Sequence, residues 1–202
     1  LQEGTWQKYY YKNNDRAKKF LNLAVEASDI VMKSGKYAID TDFRSLFTSI
    51  DLSGNKECIL YRHYDPAVGV THSIASYSNP TVSIIFGATT DLIKSFICTD
   101  GNVWQKSTMA DASKSNVSNL VKTRDSRFEA TFYDKPNSNS RGSYLFPVKF
   151  FPRDVVKIVE AGEGTPTEYS LSNNPTDYPV IRYAEILLNW IEAKAELETI
   201  GG

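Results

Sequence analysis

The chain has 202 residues, 41% of them hydrophobic, and a formal net charge of -1, a composition that suits one globular domain of moderate size. The balanced charge excludes the strong basic excess of a nucleic-acid surface, and no apolar run is long enough to cross a bilayer. Cys58 and Cys98 are the only cysteines, too few for a disulfide framework or a zinc site.

The first predicted helix is Asp15–Ser34. Asp15, Lys19, Asn22, Glu26, Asp29 and Lys33 form one polar stripe, and Ala17, Phe20, Leu21, Ala24, Ala27, Ile30 and Val31 form the buried side. Gly35 closes it as a left-handed residue. A short helix is predicted over Asp42–Thr48 and a buried strand or extended segment over Cys58–Tyr64. Asp65–Thr81 reads as a polar loop with Pro66 and Pro80 near its ends. A short helix comes next over Thr90–Cys98, capped by Thr89 or Thr90, and Thr99-Asp100-Gly101 closes it as a turn. From Asp111 to Thr176 the chain is rich in Ser, Asn and Pro. There only Phe128–Tyr133 and Tyr144–Phe151 alternate enough to predict strands. A stretch that long with little regular structure is usually a functional or decorated insertion.

The last predicted helix, Tyr178–Leu197, is the most strongly patterned. Arg182, Glu185, Asn189, Glu192 and Glu196 draw one narrow polar stripe through apolar and small residues. Asp177 suits an N-cap and Pro179 the first turn. Such a helix asks for burial on most sides, with its stripe satisfied by internal ion pairs.

Chemistry is sparse. His63 and His72 with Asp65 between them fall short of the three or four converging ligands a metal needs. Asp40 and Asp42 stand two apart beside a short helix, which suits capping rather than the two carboxyls facing across a sugar cleft that glycoside hydrolysis needs. No Ser/His/Asp order and no phosphate-cradling glycine loop is visible. Arg124, Asp125 and Arg127 suit a fork-shaped brace within a loop, with direct contact to a ligand as the lesser alternative. The sequence predicts no catalytic residue, no metal site and no cofactor.

Six blocks together resemble the SusD/RagB outer-membrane nutrient-binding lipoproteins. They are Glu3-Gly4-Thr5-Trp6 with Lys8-Tyr9; Lys33–Tyr37 with Asp42-Phe43 and Leu46-Phe47; Glu57 with Ile59-Leu60-Tyr61; Thr99-Asp100-Gly101; Arg124–Phe128, with Ser126 where the family has Pro; and Tyr178–Leu197, with Trp190-Ile191 in place of Tyr-Ala. The resemblance covers nearly the whole chain, and its last block is the most specific. It implies a mainly α, SusD-like fold: a tetratricopeptide-like helical scaffold with a loop-rich part carrying a few short strands. It also implies a single domain over 1–202, incomplete at both ends. Leu1 stands where a Met would start a whole protein, and Gly201-Gly202 come directly after a patterned helix.

By resemblance the protein is no enzyme. It is expected at the cell surface on the outer membrane, touching the membrane only through a lipid anchor, where it captures a glycan and hands it to a TonB-dependent transporter. A peptide-binding member, or a helical-repeat adaptor that binds only proteins, is the alternative. Sugar recognition needs flat aromatic faces and planar donors on loops. The chain carries 12 Tyr and 3 Trp, side chains that serve sugar stacking and core packing alike. Tyr64 and Tyr77 flank the Asp65–Thr81 loop with His63 and Asn79 beside them, and Trp104 lies just after the Asp100-Gly101 turn. These five residues are the expected ligand contacts.

Overall fold

The computed structural model of the chain describes residues 1–77, 79, 87–135, 145 and 147–200. In chain order it forms α1 (Gln2–Tyr9), α2 (Asn14–Lys33), α3 (Ser45–Thr48), β1 (Cys58–Arg62), α4 (Ile74–Tyr77), α5 (Thr90–Ser95), α6 (Val117–Thr123), α7 (Ser126–Thr131), α8 (Arg153–Glu160), β2 (Tyr178–Arg182) and α9 (Tyr183–Glu198). The two strands pair with each other. The fold is mainly α, as the sequence predicts. It divides into two compact units, one of residues 1–41, 52–62 and 179–202, the other of residues 42–51 and 63–178.

In the first unit α2 packs against both α1 and α9. Asn13 caps α2 by accepting from the Arg16 N–H at 3.1 Å, and Lys33 in its last turn pairs with Asp29 at 2.8 Å. Beyond its C-cap, Gly35 takes the left-handed φ of 64°. Ala17 and Leu21 on the inner face are fully buried. Gly4 of α1 lies so close to α2 that a Cβ there would sit 2.7 Å from Leu21 Cγ. A side chain at position 4 would force the helices apart. Between α2 and α9, the Trp190 indole donates to Asp29 at 2.9 Å.

The predicted helix Tyr178–Leu197 begins five residues late. Residues 178–182 are extended as β2, because pairing with β1 outweighs the local cap signal. The Tyr183 N–H donates to the Glu57 carbonyl at 2.8 Å, and the Arg182 guanidinium reaches the Glu57 carboxylate at 2.7 Å. Asp177 is therefore no N-cap; it is buried and accepts the Tyr64 N–H at 3.0 Å. The expectation of burial on most sides also fails. Ala193 is the buried residue of α9, while Leu188 is 64% and Ile191 57% exposed. Two members of the polar stripe do meet partners, Arg182 on Glu57 and Glu196 on Lys8.

The second unit holds two apolar clusters. One joins Val117 and Leu120 of α6 with Phe128, Phe132 and Leu145. The other joins Val155, Val156 and Val159 of α8 with Ala75, Tyr133, Val148 and Phe151. The predicted strand Phe128–Tyr133 is instead mostly helix, the C-terminal part of α7. Asp125 caps that helix by accepting from the Arg127 N–H at 3.0 Å, and Phe128 within it and Phe132 at its C-cap are both buried. Asp125 and Arg127 form the expected fork, with contacts of 2.9 and 2.8 Å. Asp125→Ala is expected to cost about 1 kcal/mol in urea denaturation, the usual worth of a helix cap.

Of the predicted strand Tyr144–Phe151, residues 144 and 146 lie outside the described residues. Pro147 makes one isolated bridge to Phe132. The stretch from Asp111 to Thr176 is more regular than predicted. It carries α6, α7, α8 and a 3-10 turn over Thr167–Tyr169. Each of these helices has eight residues or fewer, below the length at which helical periodicity can be read.

Candidate functional site

A polar loop in the second unit presents one of the expected contacts, Trp104, to a concave surface. After α5, capped by Thr89 on the Leu92 N–H at 3.2 Å, the chain turns at Gly101 with φ of 79°. Asp100 organises the loop beyond that turn. It accepts from the Asn102 N–H at 3.1 Å, the Ser107 hydroxyl at 2.8 Å and the Thr108 N–H at 3.0 Å. Desolvation pushes its carboxyl up, but these hydrogen bonds outweigh it and leave the pKa below the ordinary value. The loop from Asp100 to Thr108 is thus closed on one carboxylate, with Trp104 between its ends.

Trp104 lines a pocket of about 330 Å³, within the range of small-ligand sites. Ala88, Ile93, Leu120 and Leu145 supply apolar wall, and Lys94, Ser113, Lys114 and Arg124 supply polar edge. The Trp104 indole nitrogen is buried and makes no hydrogen bond among the described residues. Arg124 is only 4% exposed. Its Nη1 donates to Thr123 Oγ1 at 2.9 Å and Cys98 Sγ at 3.4 Å, and its Nη2 to the Ala112 carbonyl at 3.0 Å. Its Nε is buried without a partner among the described residues.

The other four expected contacts do not line this pocket. Tyr64 packs edge-on against His72 with ring centroids 4.4 Å apart. His63 keeps a 57% exposed side chain and sits 2.8 Å from Asp177. Tyr77 ends α4 half-exposed. Asn79 is 4% exposed, and its amide donates to Thr165 at 2.7 Å. These contacts tie Tyr64 and Asn79 into the fold. The sequence reading missed Lys94, Ser113 and Lys114, and took Arg124 as part of a loop brace. Residue identity alone cannot show that a guanidinium is buried with a donor unused.

His72 shows where a histidine serves structure. Its Nε2 lies 2.7 Å from the Thr176 carbonyl and must donate, while its Nδ1 accepts the Ile74 N–H at 3.2 Å. The ring is therefore held neutral. Burial lowers its pKa, partly offset by the Thr176 hydrogen bond. The unfolded chain then takes up the proton at higher pH than the folded one. Its contribution to stability is full above about pH 6.5 and is lost as the pH falls below that value. In an NMR titration the His72 ring is expected to titrate below 6.5; a midpoint above it would contradict this assignment.

A second open surface, in the first unit, is lined by Thr5, Trp6, Tyr9, Tyr10 and Tyr11. Its four aromatics are each more than half exposed. The run of aromatics from Trp6 to Tyr11 is plain in the sequence, but nothing in the sequence alone predicts that all four stay exposed. Among the described residues no group of three or more His, Cys, Asp or Glu could hold a metal ion. Cys58 and Cys98 are both buried, and no disulfide joins them.

A sequence model of the SusD family matches residues 56–200. No curated protein matches the chain significantly. Among solved structures, a SusD-like carbohydrate-binding protein from Bacteroides fragilis superposes with a TM-score of 0.66 at 20% identity, over 88% of this chain and 37% of its own. A SusD superfamily protein from Parabacteroides distasonis gives a TM-score of 0.53 at 16% identity, over 98% of this chain and 38% of its own. The chain thus spans less than two fifths of the length of either, and at these identities the likeness is one of fold.

Proposed function

The chain belongs to the SusD family, and from that premise we propose that it captures a glycan in the pocket beside Trp104. Members of the family are binding proteins rather than enzymes. In this reading the protein is anchored by lipid on the outer surface of the outer membrane and delivers the captured oligosaccharide to a TonB-dependent transporter. The observation that carries the reading is Trp104 itself. A large aromatic stands at a pocket with apolar wall and polar edge, on a loop pinned by Asp100. That is the combination a sugar needs: an aromatic surface for its C–H face and nearby donors for its hydroxyls. The carbohydrate-binding relative from Bacteroides fragilis supports it.

Of the other expected contacts, Tyr77 and His63 retain exposed faces for a longer ligand. Calorimetric titration of the full-length protein against a panel of plant and host polysaccharides tests the reading. Heat with at least one glycan is expected. Silence with every glycan, alongside binding to peptides, would replace it with the peptide-binding alternative. Delivery is tested separately, by whether the protein co-purifies with a TonB-dependent transporter from detergent-solubilised outer membrane.

A further inference from the structure

The Trp104 pocket has a one-sided charge. Its wall carries Lys94, Lys114 and Arg124 and no carboxylate. Lys114 is paired outside the pocket wall, with Asp111 at 2.7 Å. Arg124 is the decisive residue. A buried guanidinium costs several kcal/mol unless a counter-charge and a full set of hydrogen bonds compensate it. Here its hydrogen bonds run to a hydroxyl, a thiol and a carbonyl, all neutral. Among the described residues it forms no ion pair, and the residues not described contain no Asp or Glu. Its Nε and the Trp104 indole nitrogen are two buried donors that make no hydrogen bond among the described residues, and both residues line the pocket.

Resting on the glycan reading above, we propose that the pocket selects an acidic sugar, one bearing a carboxylate or a sulfate ester. The anionic group accepts from Trp104 Nε1 and Arg124 Nε and supplies the counter-charge that Arg124 lacks. Lys94 at the rim adds long-range attraction, which salt screens.

Calorimetry on the full-length protein tests this with matched pairs: oligogalacturonates against their methyl esters, and carrageenan oligosaccharides against their desulfated forms. At least one acidic member is expected to bind about tenfold or more tighter than its neutral counterpart, the worth of a charge-assisted hydrogen bond. Whichever pair shows the difference identifies the anionic group. Trp104→Phe keeps an aromatic ring and removes one of the two donors, and should reduce that preference severalfold while the melting temperature stays unchanged. Lys94→Gln should reduce the salt dependence. Equal binding within both pairs, or binding to neutral glycans alone, overturns the acidic-sugar inference and leaves glycan capture standing. No binding to any glycan overturns both.

Discussion

Glu57→Ala is expected to cost the protein about 3 kcal/mol of stability, at the lower end of what breaking a buried ion pair costs. Glu57 is 2% exposed. One carboxylate oxygen holds Arg182 at 2.7 Å, and the other accepts the Asp40 N–H at 2.8 Å. Its own N–H donates to Asn55 at 2.8 Å, and its carbonyl receives the first N–H of α9. Alanine keeps the two main-chain bonds and removes both carboxylate bonds. The side chain of Arg182, 27% exposed, can partly rehydrate, which keeps the loss from reaching the upper end of the range. Glu57→Gln preserves an acceptor without the charge and should cost about half as much. Guanidinium denaturation measures both; a Glu57→Ala loss under about 1 kcal/mol, the worth of a surface pair, would show that the pair is not a structural tie.

Trp104→Ala should lower glycan affinity about thirtyfold, the roughly 2 kcal/mol of an aromatic hot spot. Trp104 is only partly buried and its indole N–H makes no internal bond among the described residues, so the fold loses little with it. Tyr10→Ala provides the comparison, since Tyr10 is 78% exposed on the other aromatic surface. Calorimetry with the tightest glycan of the panel, alongside thermal melts, distinguishes the two surfaces. If Tyr10→Ala abolishes binding and Trp104→Ala does not, the ligand sits on the Trp6–Tyr11 surface instead.

Much of the scaffold is legible in the sequence because it is long and periodic. The α2 boundaries fall within a residue of those predicted, since one amphipathic stripe, a capping polar residue and Gly35 all agree. The α9 start is misread because Asp177 and Pro179 imitate a helix start so well. What holds residues 178–182 extended is β1, far earlier in the chain, and no local signal encodes that. Helices α6 to α8 are illegible for the opposite reason: they are short, and α6 and α7 are capped by Asn116 and Asp125 inside a Ser- and Asn-rich background. At the site, Trp104 and the Asp100 turn can be read from residue types. That donors of Arg124 and Trp104 are buried and find no acceptor among the described residues is a property of burial, visible only after folding.

The first unit draws on three separate stretches of chain. Helix α2 ends at residue 33 and its packing partner α9 begins at residue 183. At the usual pace of the ribosome, about 5–20 residues per second, roughly eight to thirty seconds separate their emergence. Throughout that interval Asp29 has no Trp190 and Glu57 has no Arg182. Synthesis therefore leaves the α9-facing side of α2 uncovered and in need of shielding from aggregation. A chaperone that holds unfolded chains would find a target there, on the nascent protein rather than the finished one.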